Sequence, residues 1–87
     1  MESSKAQQQM ITFQAELTDT YCGEANYSWV KRETFTLPDS ATDRQIVAAG
    51  KAALGLTGVR CRTTNYGDQF ELRPYNTCTV AFITVQS

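Results

Sequence analysis

Apolar and polar residues alternate without a fault from Ile11 to Leu17. Ile11, Phe13, Ala15 and Leu17 fall on one side, and Thr12, Gln14 and Glu16 on the other. That two-residue period predicts a half-buried strand. The stretch from Thr18 to Asn26 breaks it with turn formers, and nine residues is long for a hairpin loop, so part of it reads alternatively as bulged strand. Tyr27 to Leu37 is rich in aromatic and β-branched residues and predicts a second strand. Its odd positions are Tyr27, Trp29, Phe35 and Leu37, interrupted by Lys31 and Glu33. Either a bulge near Val30 flips the register, or the middle of the strand overhangs the sheet edge.

The period then changes. Ile46, Ala49, Gly50, Ala53 and Leu54 recur at three- and four-residue spacings, the apolar stripe of a helix. Pro38 marks the exit from the second strand. Thr42 with Gln45 fits a capping box, with Ser40 as an alternative cap. Gly55 suits the left-handed position beyond a helix, and Leu56 the hydrophobic contact that follows it. Small residues at 49, 50 and 53 predict a close approach to a sheet. A third strand follows, with Val59 and Cys61 alternating with Arg60 and Arg62. The Asn65–Asp68 turn leads to a fourth, in which Phe70 and Leu72 alternate with Gln69, Glu71 and Arg73. After Pro74-Tyr75-Asn76, the run Thr77–Val85 is apolar on both parities, as expected of a central strand covered on both faces.

These elements predict an α+β fold: a curved antiparallel β-sheet of about five strands in ββαβββ order, with one helix packed on one face. Residues 1–9 are polar and read as a flexible N-terminal tail, leaving 10–87 as a single domain. One helix covers only one face of such a sheet. The other must be closed by curvature, by the Thr18–Asn26 stretch, or by another molecule.

Composition narrows the chemistry. At 87 residues, 41% hydrophobic and 20% charged, the chain is globular in make-up and has room for one core. It lacks a run long enough to span a bilayer and the apolar region of a signal peptide, which predicts a cytoplasmic protein without membrane contact. Net charge is −1, divided between an acidic first half (net −4 over 1–43) and a basic second half (net +3 over 44–87). There is no histidine, which removes Ser-His-Asp and Cys-His catalysis and histidine metal sites. Cys22, Cys61 and Cys78 are scattered, with no Cys-x-x-Cys, and predict reduced thiols. Cys61 and Cys78 read as small buried hydrophobes, whereas Cys22 sits in loop-like sequence. Gly55-Leu56-Thr57-Gly58 follows a helix instead of preceding one, so no phosphate-binding loop is indicated. No cofactor or metal is expected.

Three constellations carry what functional signal there is. Tyr21, Tyr27, Trp29 and Tyr75 are aromatic residues in and around loops, of the types enriched at interface centres, although Trp29 also reads as a core anchor. With the uncovered sheet face they predict a protein-binding surface centred on Val80 and Phe82, with Trp29 or Val30 alongside and Tyr21 and Tyr27 near by. Its occupant is a partner protein or a second copy in a homodimer. Arg60, Arg62 and Arg73 beside Tyr66 suggest, as the alternative, single-stranded nucleic-acid binding. Glu71 sits among them, however, so ion pairing of Arg60 or Arg62 with Glu71 is the plainer reading. Third, Asp19-Thr20-Tyr21-Cys22-Gly23-Glu24 gathers carboxylates, a phenol and a thiol, the parts of a small enzyme, yet acidic neighbours oppose thiolate formation at Cys22. The first reading, a non-enzymatic protein-binding module, is the one the composition favours. In general make-up such a chain resembles the accessory proteins of phages and other mobile elements, which often bind and block a host protein. No motif carries that likeness.

Overall fold

The computed structural model describes residues 9–86, so the expected tail, apart from Gln9, lies outside the described residues. The elements run β1 (Met10–Tyr21), β2 (Glu24–Pro38), α1 (Asp43–Ala53), β3 (Cys61–Asn65), β4 (Gln69–Pro74) and β5 (Thr79–Val85). The strands form one open antiparallel sheet in the order β2-β1-β5-β4-β3. The fold is α+β, as the periodicity predicted. The strand that is apolar on both parities, β5, occupies the centre. The two strands joined through the helix, β2 and β3, are the opposite edges, so the β2–α1–β3 connection spans the whole sheet.

One face of that sheet holds the core. Phe13, Ala15 and Leu17 of β1, Phe70 and Leu72 of β4, and Ala81 and Ile83 of β5 are buried together with Leu54. Phe13 stacks on Phe35, its direct cross-strand neighbour, with ring centroids 5.2 Å apart. Along α1 the expected stripe faces this layer. Gly50 and Leu54 are buried, Ile46, Ala49 and Ala53 half-buried, and Val47 joins them at the margin. Leu56 and Cys61 extend the cover beyond the helix.

Both helix ends close as the local sequence dictates. Thr42 Oγ1 accepts from Gln45 N at 3.2 Å while Gln45 Oε1 accepts from Thr42 N at 2.8 Å, a reciprocal capping box. At the other end Leu56 N donates to Lys51 O at 2.7 Å and Gly55 N to Ala52 O at 3.2 Å, with Gly55 at φ +76°. This is the six-to-one, five-to-two pairing that ends a helix on a left-handed residue.

Several expectations are corrected. Thr18–Asn26 is not a long loop but, as the alternative reading had it, largely bulged strand. β1 continues to Tyr21, Cys22 and Gly23 form a two-residue turn with both φ values positive (54° and 84°), and β2 resumes at Glu24. The irregularity lies further along β2. Thr18 pairs with Val30 and Thr20 with Ala25, so four residues, Asn26 to Trp29, stand opposite Asp19 alone. This three-residue excess reverses which parity of β2 faces the helix. Lys31 and Glu33 sit on the helix-side face, but on the edge strand, where they remain exposed. Of the two sequence alternatives the flipped register holds; the middle of β2 does not overhang the sheet, because Lys31 to Glu33 pair with Leu17 to Ala15. The third strand starts at Cys61, leaving Val59 and Arg60 outside it. Cys78 is exposed instead of buried, because it lies in the turn before β5. Cys61 is half-buried, Cys22 is exposed, and none of the three is bonded to another.

Candidate functional site

The face away from the helix is closed by the chain itself at one end and remains polar at its middle. Strand alternation sends Thr18 and Val80, direct neighbours across β1 and β5, to this face, and both are fully buried. Thr18 Oγ1 donates to Trp29 O at 2.7 Å. Arg73, on the same face of β4, donates from Nη1 to Gly23 O at the tip of the β1–β2 hairpin, 2.8 Å away across 50 residues of chain. The hairpin tip is thus tied over the end of the sheet that holds Val80. Val80 therefore cannot be the centre of an open surface; it is a core residue on the second face.

One register step along, Glu16 of β1, Phe82 of β5, Glu71 of β4 and Thr64 of β3 form a row across the sheet. Strand spacing sets the α-carbons of Glu16 and Glu71 about 10 Å apart. Phe82 lies half-buried between the two carboxylates. Each is held by an arginine and a tyrosine. Arg32, opposite Glu16 on β2, approaches Glu16 Oε2 to 3.5 Å, and the Tyr27 phenol stands close by. Glu71 accepts from Arg73 Nε, and from the Tyr66 hydroxyl at 3.0 Å. The guanidinium of Arg73, and to a lesser degree the Tyr66 hydroxyl, hold the Glu71 carboxyl below its ordinary range against the opposing effect of burial. The Tyr66 phenol is pushed up, chiefly by its bond to that carboxylate. Tyr27 is raised by burial first and by Glu16 second. The ion pair expected between Arg60 or Arg62 and Glu71 is replaced by one within β4. Arg62 lies opposite Arg73 with its side chain exposed.

The most constrained feature is the bulge. Asp19 faces it and fills it with hydrogen bonds. Oδ1 accepts from Ser28 N at 3.0 Å and, at 3.2 Å, shares with Trp29 O the single proton of the Thr18 hydroxyl. Oδ2 accepts from Ser28 Oγ at 2.6 Å and Asn26 Nδ2 at 2.9 Å. The Ser28 hydroxyl above all, then the Asn26 amide, hold Asp19 well below the usual carboxylate range. In this frame Tyr27 takes φ +58°, a left-handed conformation unfavourable for a residue with a bulky side chain. Tyr27 is 49% and Trp29 46% exposed, Val30 is 36%, and Tyr21 at the adjoining hairpin end is 71%. Tyr75 is exposed elsewhere, in the turn after β4. Sequence reading singled out Tyr21, Tyr27, Trp29 and Val30, but it missed Asp19 as the residue that positions them. The Asp-Thr signature of a turn was there, yet which strand it would brace depends on pairing partners seven to nine residues away.

The two other constellations are dispersed or occupied. Of the arginine set, Arg73 and Tyr66 are bound to Glu71, while Arg60 precedes β3 and Arg62 makes no side-chain hydrogen bond or ion pair among the described residues, adding only its charge to the field at Glu71 and Tyr66. In the Asp19–Glu24 stretch, Asp19 is fully used as an acceptor, Cys22 forms the turn, and Glu24 pairs with Tyr21 at its end. Among the described residues no three His, Cys, Asp or Glu side chains cluster to hold a metal ion, and no helix is long and apolar enough to cross a membrane. No protein-family model, curated protein or solved structure matches the chain.

Proposed function

We propose that this chain is a non-enzymatic protein-binding module of the cytoplasm, and that it docks through the aromatic bulge of β2 rather than through the middle of the sheet. The observation that carries the reading is the Asp19 frame. A carboxylate with four acceptor contacts fixes a strained backbone, and what that backbone presents is Tyr27 and Trp29, half exposed. Aromatic residues held rigid before binding lose little entropy on contact and supply the large apolar area of interface hot spots. Strained backbone conformations that the surroundings hold in place cluster at binding and active sites.

A foreign partner is favoured over a second copy. Pairing of the exposed β2 edge with itself is opposed by three consecutive charges, Lys31-Arg32-Glu33, and by the bulge that interrupts its ladder. The nucleic-acid reading draws support from Arg62 and Arg60 alone, since Arg73 and Tyr66 are engaged with an anionic group. A host protein bound and blocked by a mobile-element product fits the module's size and make-up, and the partner's identity lies with its genetic neighbours.

The test is affinity capture followed by reconstitution with the purified partner. Trp29→Ala is expected to weaken a one-to-one complex by about 30-fold, the effect of a hot spot near 2 kcal/mol, while leaving thermal unfolding nearly unchanged. A complex indifferent to Trp29 and Tyr27, or tight binding to oligonucleotides that falls steeply with salt, would refute it.

A further inference from the structure

On the helix side of the sheet, remote from the aromatic bulge, a cavity of about 300 Å³ opens where α1 begins. Its floor is apolar: Phe13 of β1, Phe70 of β4, Ile83 of β5 and Ile46 of the helix, with Ile11 and Val85 at the lip. The rim is acidic, formed by Asp39 before the helix, Asp43 in its first turn and Asp68 in the β3–β4 turn. Asp43 accepts a hydrogen bond from Asn65 Nδ2 at 3.1 Å. The side chains of Asp39 and Asp68 make no hydrogen bond or ion pair among the described residues. Among the described residues no lysine or arginine lines this cavity; Arg44 borders a neighbouring cavity of about 330 Å³ that shares Asp43 and Phe70.

We infer that this cavity is a binding site for a small hydrophobic cation, an aryl- or branched-alkylammonium group whose apolar body rests on Phe13, Phe70 and Ile83 and whose charge lies among the three aspartates. The volume falls at the lower end of pockets that enclose small organic ligands, and a mainly apolar lining with a few convergent polar groups is the usual composition of such sites. Charge complementarity selects the ligand's sign. Three carboxylates around one opening repel an anion and stabilise a cation at the same place, and the low-dielectric floor strengthens that preference over what open water allows. A neutral ligand of equal size gains the floor without the rim. The site is independent of the bulge, so its failure leaves the proposed docking surface standing.

The experiment is a titration of the isotope-labelled 87-residue chain, followed by amide chemical shifts, with three probes of matched size: phenethylammonium, 2-phenylethanol and phenylacetate. Shifts are expected at Ile46, Gly67, Asp68 and Val85. Phenethylammonium should bind at least fivefold tighter than the alcohol and phenylacetate more weakly than either. Raising the salt to 0.5 M should shrink the ammonium preference. Asp39→Asn with Asp68→Asn, both exposed and outside the helix, should abolish that preference without loss of fold, and Val85→Lys, which puts a cation at the lip, should do the same by a separate route. Equal binding of ammonium and alcohol, or shifts scattered away from these residues, overturns the proposal. So does binding that appears only after residues 1–8 are removed, which would assign the cavity to the chain's own N-terminal segment.

Discussion

Gly50 of the helix lies so close to Ile83 of the central strand that a β-carbon built on it would stand 2.3 Å from Ile83 Cδ1 and 2.9 Å from Cγ1. Ile83 is fully buried, and both atoms that the added carbon would meet first belong to its side chain. The missing side chain therefore sets the helix-to-sheet distance. Gly50→Ala gains about 1 kcal/mol in helix propensity but overpacks the contact by about 1–3 kcal/mol. A net loss of roughly 1 kcal/mol is expected in urea unfolding. Ile83→Val in the same chain should recover part of it, so that the double variant is more stable than the two single effects added together. Additive effects would show that the two residues are not in contact.

Asp19 makes the bulge pH-sensitive. Its carboxyl is lowered from an ordinary value of 3.8, and that of Glu71 from 4.5, so both favour the folded state when ionised. The stability they contribute is fully present above those unfolded values and is lost as pH falls through the still lower folded ones. Unfolding free energy is therefore expected to hold steady down to about pH 4.5 and decline below it. Asp19→Ala should lower stability at neutral pH, flatten the acid decline, and expose the Ser28 amide to fast hydrogen exchange. An unchanged exchange rate at Ser28 would count against the frame.

Tyr66 and Glu71 titrate as a linked pair. Because the carboxylate accepts the phenolic hydrogen, the Tyr66 phenol holds its proton above the ordinary value of 10.0. Glu71→Gln is expected to move the Tyr66 transition to lower pH in an ultraviolet titration. No movement would mean that the hydroxyl does not face Glu71.

Val80 and Trp29 separate structure from docking. Val80→Ala removes methyl groups from a fully buried position and should cost roughly 2–3 kcal/mol. Trp29→Ala, at a half-exposed site, should change stability by less than about 1 kcal/mol and act instead on partner binding. A reversed order would place Trp29 in the core.

At the helix N-terminus the reciprocal bonds of Thr42 and Gln45 predict a loss of about 1 kcal/mol for Thr42→Ala in urea unfolding. An unchanged midpoint would mean that Thr42 does not cap the helix.

Whatever depends on neighbours a few residues apart was legible in the chain alone: the strand from Ile11, the apolar stripe from Ile46 to Leu54, the Thr42 cap, the Gly55 stop, and a fifth strand too apolar to lie at an edge. These signals are local because a helix turn, a cap and strand alternation are each complete within about four residues. The tertiary structure decided the rest. Only strand pairing shows that four residues of β2 face Asp19 alone, that Glu16, Phe82 and Glu71 share a row, and that Arg73 reaches Gly23 across 50 positions. Register depends on partners distant in the chain, and a one-residue slip moves every following side chain to the opposite face. That is why Val80 reads in sequence as a surface apolar residue and lies in the structure beneath the hairpin that folds over it.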